Sequence, residues 1–365
     1  MSKLRWQHVF LFFLALNVMG CASDQYLFKY HDAQLDKTVW PMPPEIPRYE
    51  FIGFLTGDTN FVLDKKSQSF VSKSLDWIKE FVAGKSAPKQ LYRPQGVFFD
   101  EASNRLFVSD VGRKAIFVFD LANKHLQVWE QADELTQFAS PIGIAVTGKN
   151  EVLVSDSKLG FVSRLDNEGK SIGIIGKDVL QRPTGLAVDA RTQNIYVADA
   201  ALHQIIVFDA KGKKISSIGG QKSGKLGHFN APTYLVIDQD KLIVSDTLNA
   251  RVQIFNLQGK WLGSFGRRGI RVGDTPRPKG VAVDTQHNIY VVESYYNHLL
   301  VFNAQGQALM AIGGRGKGIG QFDMPTGVWV DKRNRVFVAD MFNSRVSVFH
   351  FLNTSSETRQ SSGAE

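Results

Sequence analysis

Three histidines, His203, His228 and His298, are the side chains in this 365-residue sequence best suited to hold a catalytic metal. A neutral imidazole is a good zinc ligand, and three that converge with one open position make a hydrolytic or lyase centre. A second set is a recurring acid: Asp110, Asp156, Asp199, Asp246, Glu293 and Asp340. Carboxylates bind cations only where the fold brings them together. A third set is cationic. Arg113, Lys222, Lys225, Arg267, Arg268, Arg271, Arg277 and Arg315 fall on short polar or glycine-rich stretches, and Tyr295, Tyr296 and Phe342 occupy comparable stretches. Guanidinium forks fit carboxylates and phosphates, while aromatic neighbours suit stacking or peptide anchoring.

The elements that must position these groups are short strands. Residues 182–220 contain four apolar runs, Leu186–Val188, Ile195–Ala198, Ile205–Phe208 and Ile215–Ile218, separated by DARTQN, DAALHQ and DAKGKK. Runs of this length between turn residues make a four-strand meander. The unit recurs: Pro94, Pro141, Pro183, Pro232, Pro278 and Pro325 open successive copies, and one of the six acids follows each proline one strand later. A four-stranded unit repeating every 40–50 residues or so predicts a β-propeller, here an all-β fold of six blades. The sixth copy has three strand-like runs and no fourth. The stretch Phe51-Ile-Gly-Phe-Leu55 matches the fourth strand of other copies. The expectation is that residues 49–55 pair with the last blade and close the ring, leaving no free edge there.

A closed ring sorts the candidate residues. The first strand of each blade lines the channel, so acids at the end of the second strand cannot meet on the axis. They are expected to cap turn N–H groups, with Arg251 and Arg345 pairing back to Asp246 and Asp340. The loops from strand two to three and from blade to blade share one face, and the candidate cations and aromatics fall on those loops. A formal charge of +8 and a sequence pI near 9.4 agree with an anionic partner. The histidines do not recur in register. Gln137, Val179 and Gln321 stand where His228 has its equivalents, four residues before the opening proline. No cofactor is therefore expected.

The flanks carry a different signal. Residues 1–20 combine Lys3 and Arg5 with an apolar run from Val9 to Leu16, too short for a membrane span and fit for an export signal. Residues 21–47 begin at Cys21, the single cysteine, and end in WPMPPEIP, a composition expected of a tether. The propeller is expected over 48–350. An insertion at 58–92 holds an amphipathic helix near residues 70–84, and 351–365 form a disordered tail.

Val18-Met-Gly-Cys21 resembles the lipobox of bacterial lipoproteins. That resemblance implies lipidation at Cys21 and, with Ala22 following, delivery to the outer membrane. The patterns PTGLAVD, IYVAD and DTLNARVQIF resemble the NHL repeat over residues 93–349, departing from it at Thr147, at Leu159-Gly160 and at Tyr234 in the glycine position. The whole is similar to bacterial six-bladed NHL lipoproteins. The reading preferred is a monomeric binding or scaffold protein of the cell envelope. Its basic face meets a protein, a peptide or an anionic glycan, and no nucleic acid. The alternative is a metal-dependent lyase or lactonase of six-bladed form, similar to the amidating lyases with their three-histidine zinc. Lactonases of this form need carboxylates at the channel mouth, where this chain has Gln95, Thr184, Thr233, Lys279 and Thr326.

Overall fold

The structure, a computed structural model, describes residues 26–33, 38–64 and 88–352. Cys21, the export signal, the amphipathic helix near 70–84 and the tail from residue 353 lie outside the described residues. Four strands precede the blades: β1 (Tyr26–Phe28), β2 (Val39–Trp40), β3 (Tyr49–Leu55) and β4 (Phe61–Leu63). Blade one is β5 (Pro94–Asp100), β6 (Arg105–Asp110), β7 (Ala115–Asp120) and β8 (His125–Trp129). Blade two is β9 (Pro141–Val146), β10 (Val152–Asp156), β11 (Phe161–Leu165) and β12 (Ser171–Ile175). Blade three is β13 (Pro183–Val188), β14 (Ile195–Asp199), β15 (Gln204–Phe208) and β16 (Lys214–Gly219). Blade four is β17 (Pro232–Asp238), β18 (Lys241–Asp246), β19 (Arg251–Asn256) and β20 (Trp261–Phe265). Blade five is β21 (Pro278–Val283), β22 (Ile289–Glu293), β23 (His298–Phe302) and β24 (Ala308–Gly313). Blade six has β25 (Pro325–Val330), β26 (Arg335–Asp340) and β27 (Arg345–Phe351).

Each of the first five blades is an antiparallel meander in sequence order, and the sixth is completed by β3, which pairs with β27. The register sets Leu55 opposite Val346 and Tyr49 opposite Phe351. The expected closing strand therefore has its expected bounds, and β27 continues one residue past the expected end of the propeller. Phe51 and Trp40 lie edge-on to the Phe349 ring at 5.8 and 5.5 Å, so aromatic burial holds the closing strand as well as backbone pairing.

The first strands β5, β9, β13, β17, β21 and β25 each pack against the next around the axis, and β25 returns to β5. Close approach explains the glycine that follows the proline-x pair in every blade but the fourth, where Tyr234 stands. A Cβ on Gly96 would stand 2.1 Å from the Ile142 carbonyl oxygen, and one on Gly327 would stand 2.3 Å from that of Gln95. Hydroxyl groups stitch the same seams. Ser109 donates to the Ile142 carbonyl at 2.6 Å, Thr247 to that of Pro278 at 2.7 Å and Thr326 to that of Gln95 at 3.0 Å. Between blades the core consists of apolar clusters packed sheet to sheet.

The tether reading of residues 21–47 needs correction for the part described. β2 pairs with β3, so the last sheet has five strands, and β1 pairs with β4. Tyr30 packs where Gly53 has no side chain, since a Cβ there would lie 2.5 Å from the Tyr30 Cβ. The physical reason is aromatic content: Phe28, Tyr30 and Trp40 each bury surface against the propeller. Polarity and proline density pointed to a spacer, but three aromatic rings outweigh them. Among the described residues no helix is long and apolar enough to cross a membrane.

Candidate functional site: the loop face and the channel mouth

In an antiparallel meander, turns between strands two and three lie at the same end as the links between blades. Arg113, Lys222, Lys225, Arg267, Arg268, Arg271, Arg277 and Arg315 all sit at that end, and all are exposed. Tyr295 and Phe342 are also exposed, at 60% and 50%, whereas Tyr296 is partly buried, edge-on to Tyr295 at 4.9 Å. Arg113 donates to the Gln90 carbonyl at 2.9 Å, and two of the other cations meet carboxylates. Arg267 pairs with Asp274 at 2.9 Å, and Arg315 stands 3.9 Å from Asp323. The Arg271 backbone N–H and the Arg267 side chain hold the Asp274 carboxyl below the usual range. Lys222, Lys225, Arg268, Arg271 and Arg277 have no side-chain ion pair among the described residues.

The face carries more apolar surface than the sequence reading assigned to it. Ile270 is 85% exposed and Val272 72%, both between the arginines of the blade-four to blade-five link. Tyr92, half exposed, lies under Arg93 at 5.3 Å and Arg113 at 5.8 Å, and Phe342 also faces Arg93 at 6.0 Å. Such stacked pairs hold cations in place beside apolar rings. Ile270 and Val272 are legible as apolar residues in RRGIRVGD, whereas nothing in the sequence marks Tyr92, at the end of the expected insertion, as part of this face.

The recurring acids are buried at this end of the blades. Asp199 accepts N–H bonds from Gln181, Arg182, Ala201 and Leu202, and Glu293 from Arg277, Tyr295 and Tyr296. One carboxylate thus ties the loop entering a blade to the turn after its second strand. Asp246 and Asp340 additionally pair with Arg251 at 2.8 Å and Arg345 at 2.9 Å. Burial pushes both of these carboxyls up, against the hydrogen bonds that oppose it. Each arginine then reaches the preceding link: Arg251 donates to the carbonyls of Gly224, Lys225 and His228, and Arg345 to those of Lys317, Gly318 and Gln321. The clamps fix the backbone that carries Lys222, Lys225 and Arg315, and a loop ordered in advance loses less entropy on binding.

The three histidines are held for other purposes. His203 Nδ1 accepts the Ala231 N–H at 3.0 Å. The carbonyl of His228 accepts from Arg251 and Gln253, while its Nδ1 is buried without a partner. His298 opens β23, where burial lowers its pKa against the opposing charge of Glu293. No three His, Cys, Asp or Glu side chains among the described residues are grouped to hold a metal ion, so the described residues do not fit the three-histidine zinc of the amidating lyases.

At the centre of this face the channel opens into a cavity of about 380 Å³, lined by Gln95, Arg182, Thr184, Thr233, Thr247 and Lys279 among others. Among the described residues no carboxylate lines it. Tyr234, the residue in the glycine position of blade four, borders this cavity and also the narrower one below. Its hydroxyl donates across the channel to the Gln95 carbonyl at 3.2 Å, and burial raises its pKa. The departure at Tyr234 thus puts a ring between the two cavities.

Residues 280–360 match a family model, DUF5128, described as a 6-bladed beta-propeller. The chain is 27% identical over 161 residues to peptidylglycine alpha-amidating monooxygenase of Rattus norvegicus, covering 38% of this chain and 16% of that protein. It is 32% identical over 96 residues to NHL repeat-containing protein 2 of Bos taurus, covering 24% of this chain and 13% of that one. The chain thus spans a small part of the length of these relatives. Among solved structures, an auxiliary nutrient binding protein from Bacteroides thetaiotaomicron superposes with a TM-score of 0.58 at 12% identity, covering 72% of this chain and 70% of that one. These likenesses bear on architecture alone, and with the strand order they establish it: the chain is a six-bladed β-propeller with NHL-repeat-containing relatives at low identity.

Proposed function

We propose that this propeller is a non-catalytic recognition module whose loop face binds an anionic protein, peptide or glycan. The observation that carries the reading is the gathering of Lys222, Lys225, Arg268, Arg271 and Arg277 on clamped loops at one end, with no side-chain ion pair among the described residues and on the same face as Ile270, Val272 and Tyr295. Cations among exposed apolar side chains are the composition of a binding patch rather than a solvated rim. The likeness to a nutrient-binding propeller agrees with a binding role. Crosslinking followed by affinity recovery tests it. An Arg268→Glu, Arg271→Glu variant is expected to recover at least tenfold less partner than the wild type, an effect of about 1.4 kcal/mol or more. Unchanged recovery would remove the face from consideration.

The reading includes export and lipid anchoring through Cys21, supported by the lipobox-like Val18-Met-Gly-Cys21. A Cys21→Ala protein is expected to leave the membrane fraction and to lose metabolic labelling by fatty acid. Retention of the label would contradict the anchor. A lyase-like activity is the second reading, favoured by the local likeness to the amidating monooxygenase. It requires stoichiometric zinc or calcium in the purified protein, lost on substitution of His203, His228 or His298.

A further inference from the structure

We propose that the cavity at the channel mouth binds a small carboxylate that also carries N–H or O–H donors, with Lys279 and Arg182 holding the acid group. This deepens the reading of the loop face as an anion-recognising surface and rests on it. Lys279 occupies the position after the opening proline, where the other channel strands carry Gln95, Ile142, Thr184, Thr233 and Thr326. Its ammonium has no hydrogen-bond or ion-pair partner among the described residues and borders a cavity without a carboxylate. Burial, and then the charges of Arg277 and Arg182, hold its pKa below the ordinary lysine range. An entering carboxylate would relieve that uncompensated charge.

The hydroxyls beside it decide the rest of the ligand. Thr247 donates to the Pro278 carbonyl at 2.7 Å, so the 2.6 Å contact between Thr233 and Thr247 uses the Thr233 proton. Thr184 donates to the Ala198 carbonyl at 3.1 Å. These three threonine hydroxyls therefore offer acceptor lone pairs only, while Ser140, on the other side of the cavity, accepts from Ser157 at 2.9 Å and keeps its own proton. A bare oxyanion would satisfy the cations and leave these acceptors unmatched. A carboxylate with hydroxyl or amide donors satisfies both, and about 380 Å³ suits a single sugar acid or the last two residues of a peptide.

Isothermal titration calorimetry on the full chain tests this with D-glucuronate and N-acetyl-L-alanyl-L-alanine as acids. D-glucose, the amide of the same dipeptide, and sulfate serve as controls. At least one acid is expected to bind, its neutral counterpart and sulfate at least tenfold more weakly. Lys279→Met is expected to weaken the acid at least tenfold, and Lys279→Arg to retain it within about threefold. Glucuronate alone binding identifies the sugar-acid source, and the dipeptide alone a peptide terminus. Failure of both acids, equal binding of sulfate, or an unaffected Lys279→Met variant would overturn the proposal. The variants leave Arg268 and Arg271 in place, so loss of this site and loss of the surrounding face are read separately.

Discussion

Replacing Tyr234 by alanine is expected to destabilise the protein by about 3–5 kcal/mol, the range for removing a buried aromatic ring. The ring is enclosed by the channel strands, packs with Val236, Ile243 and Val281, and ends on the Gln95 carbonyl of the blade across the axis. Tyr234→Phe keeps the ring and removes only that hydrogen bond, so a loss of about 1 kcal/mol is expected. Urea denaturation of the two variants separates packing from hydrogen bonding, with the midpoint shifting and the slope unchanged. The alanine variant would also join the cavity at the mouth to the one beneath it, because Tyr234 is the side chain that borders both through its ring. Equal stabilities for the two variants would show that the ring fills no space that matters.

Deleting residues 38–57 removes the closing strand and is expected to abolish cooperative folding. The deletion uncovers β27, whose Val346, Val348 and Phe349 are fully buried, and discards the buried Tyr49, Phe51, Phe54 and Leu55. It also breaks a buried chain in which the Tyr49 hydroxyl meets that of Tyr290 at 3.0 Å, which in turn donates to Asp284 at 2.9 Å. Several kcal/mol for each large side chain exceeds the 5–15 kcal/mol by which a domain is typically stable. A synthetic peptide of residues 38–57 added in trans should restore a soluble folded species, because the pairing is between separate stretches of chain. A deletion variant that melts cooperatively at the wild-type temperature would refute closure by β3.

The repeat was legible because proline, glycine and the acid each answer a local geometric need, and local needs recur with the blade. The closing strand was legible for the same reason: Phe51-Ile-Gly-Phe-Leu55 repeats the pattern of a fourth strand. What escaped depended on contacts between distant residues. Trp40 reads as part of a proline-rich spacer until Phe349, more than three hundred residues later, lies against it. Arg251 and Arg345 were legible as partners of their acids but not as clamps on loop carbonyls. That role depends on where the preceding link passes. Lys279 is legible as a channel residue, but its lack of an acidic partner among the described residues belongs to the closed ring.

The most direct test of the central claim compares charge reversal on the two ends of the ring. One variant carries Arg268→Glu, Arg271→Glu and Arg277→Glu on the loop face. The other carries Lys211→Glu, Lys213→Glu and Lys332→Glu at the opposite end, with the same change in net charge. Recovery of the crosslinked partner at physiological salt is expected to fall at least tenfold for the first and to stay within about twofold for the second. Equal losses would show attraction to net charge alone, and a loss confined to the second would place recognition on the other end of the propeller.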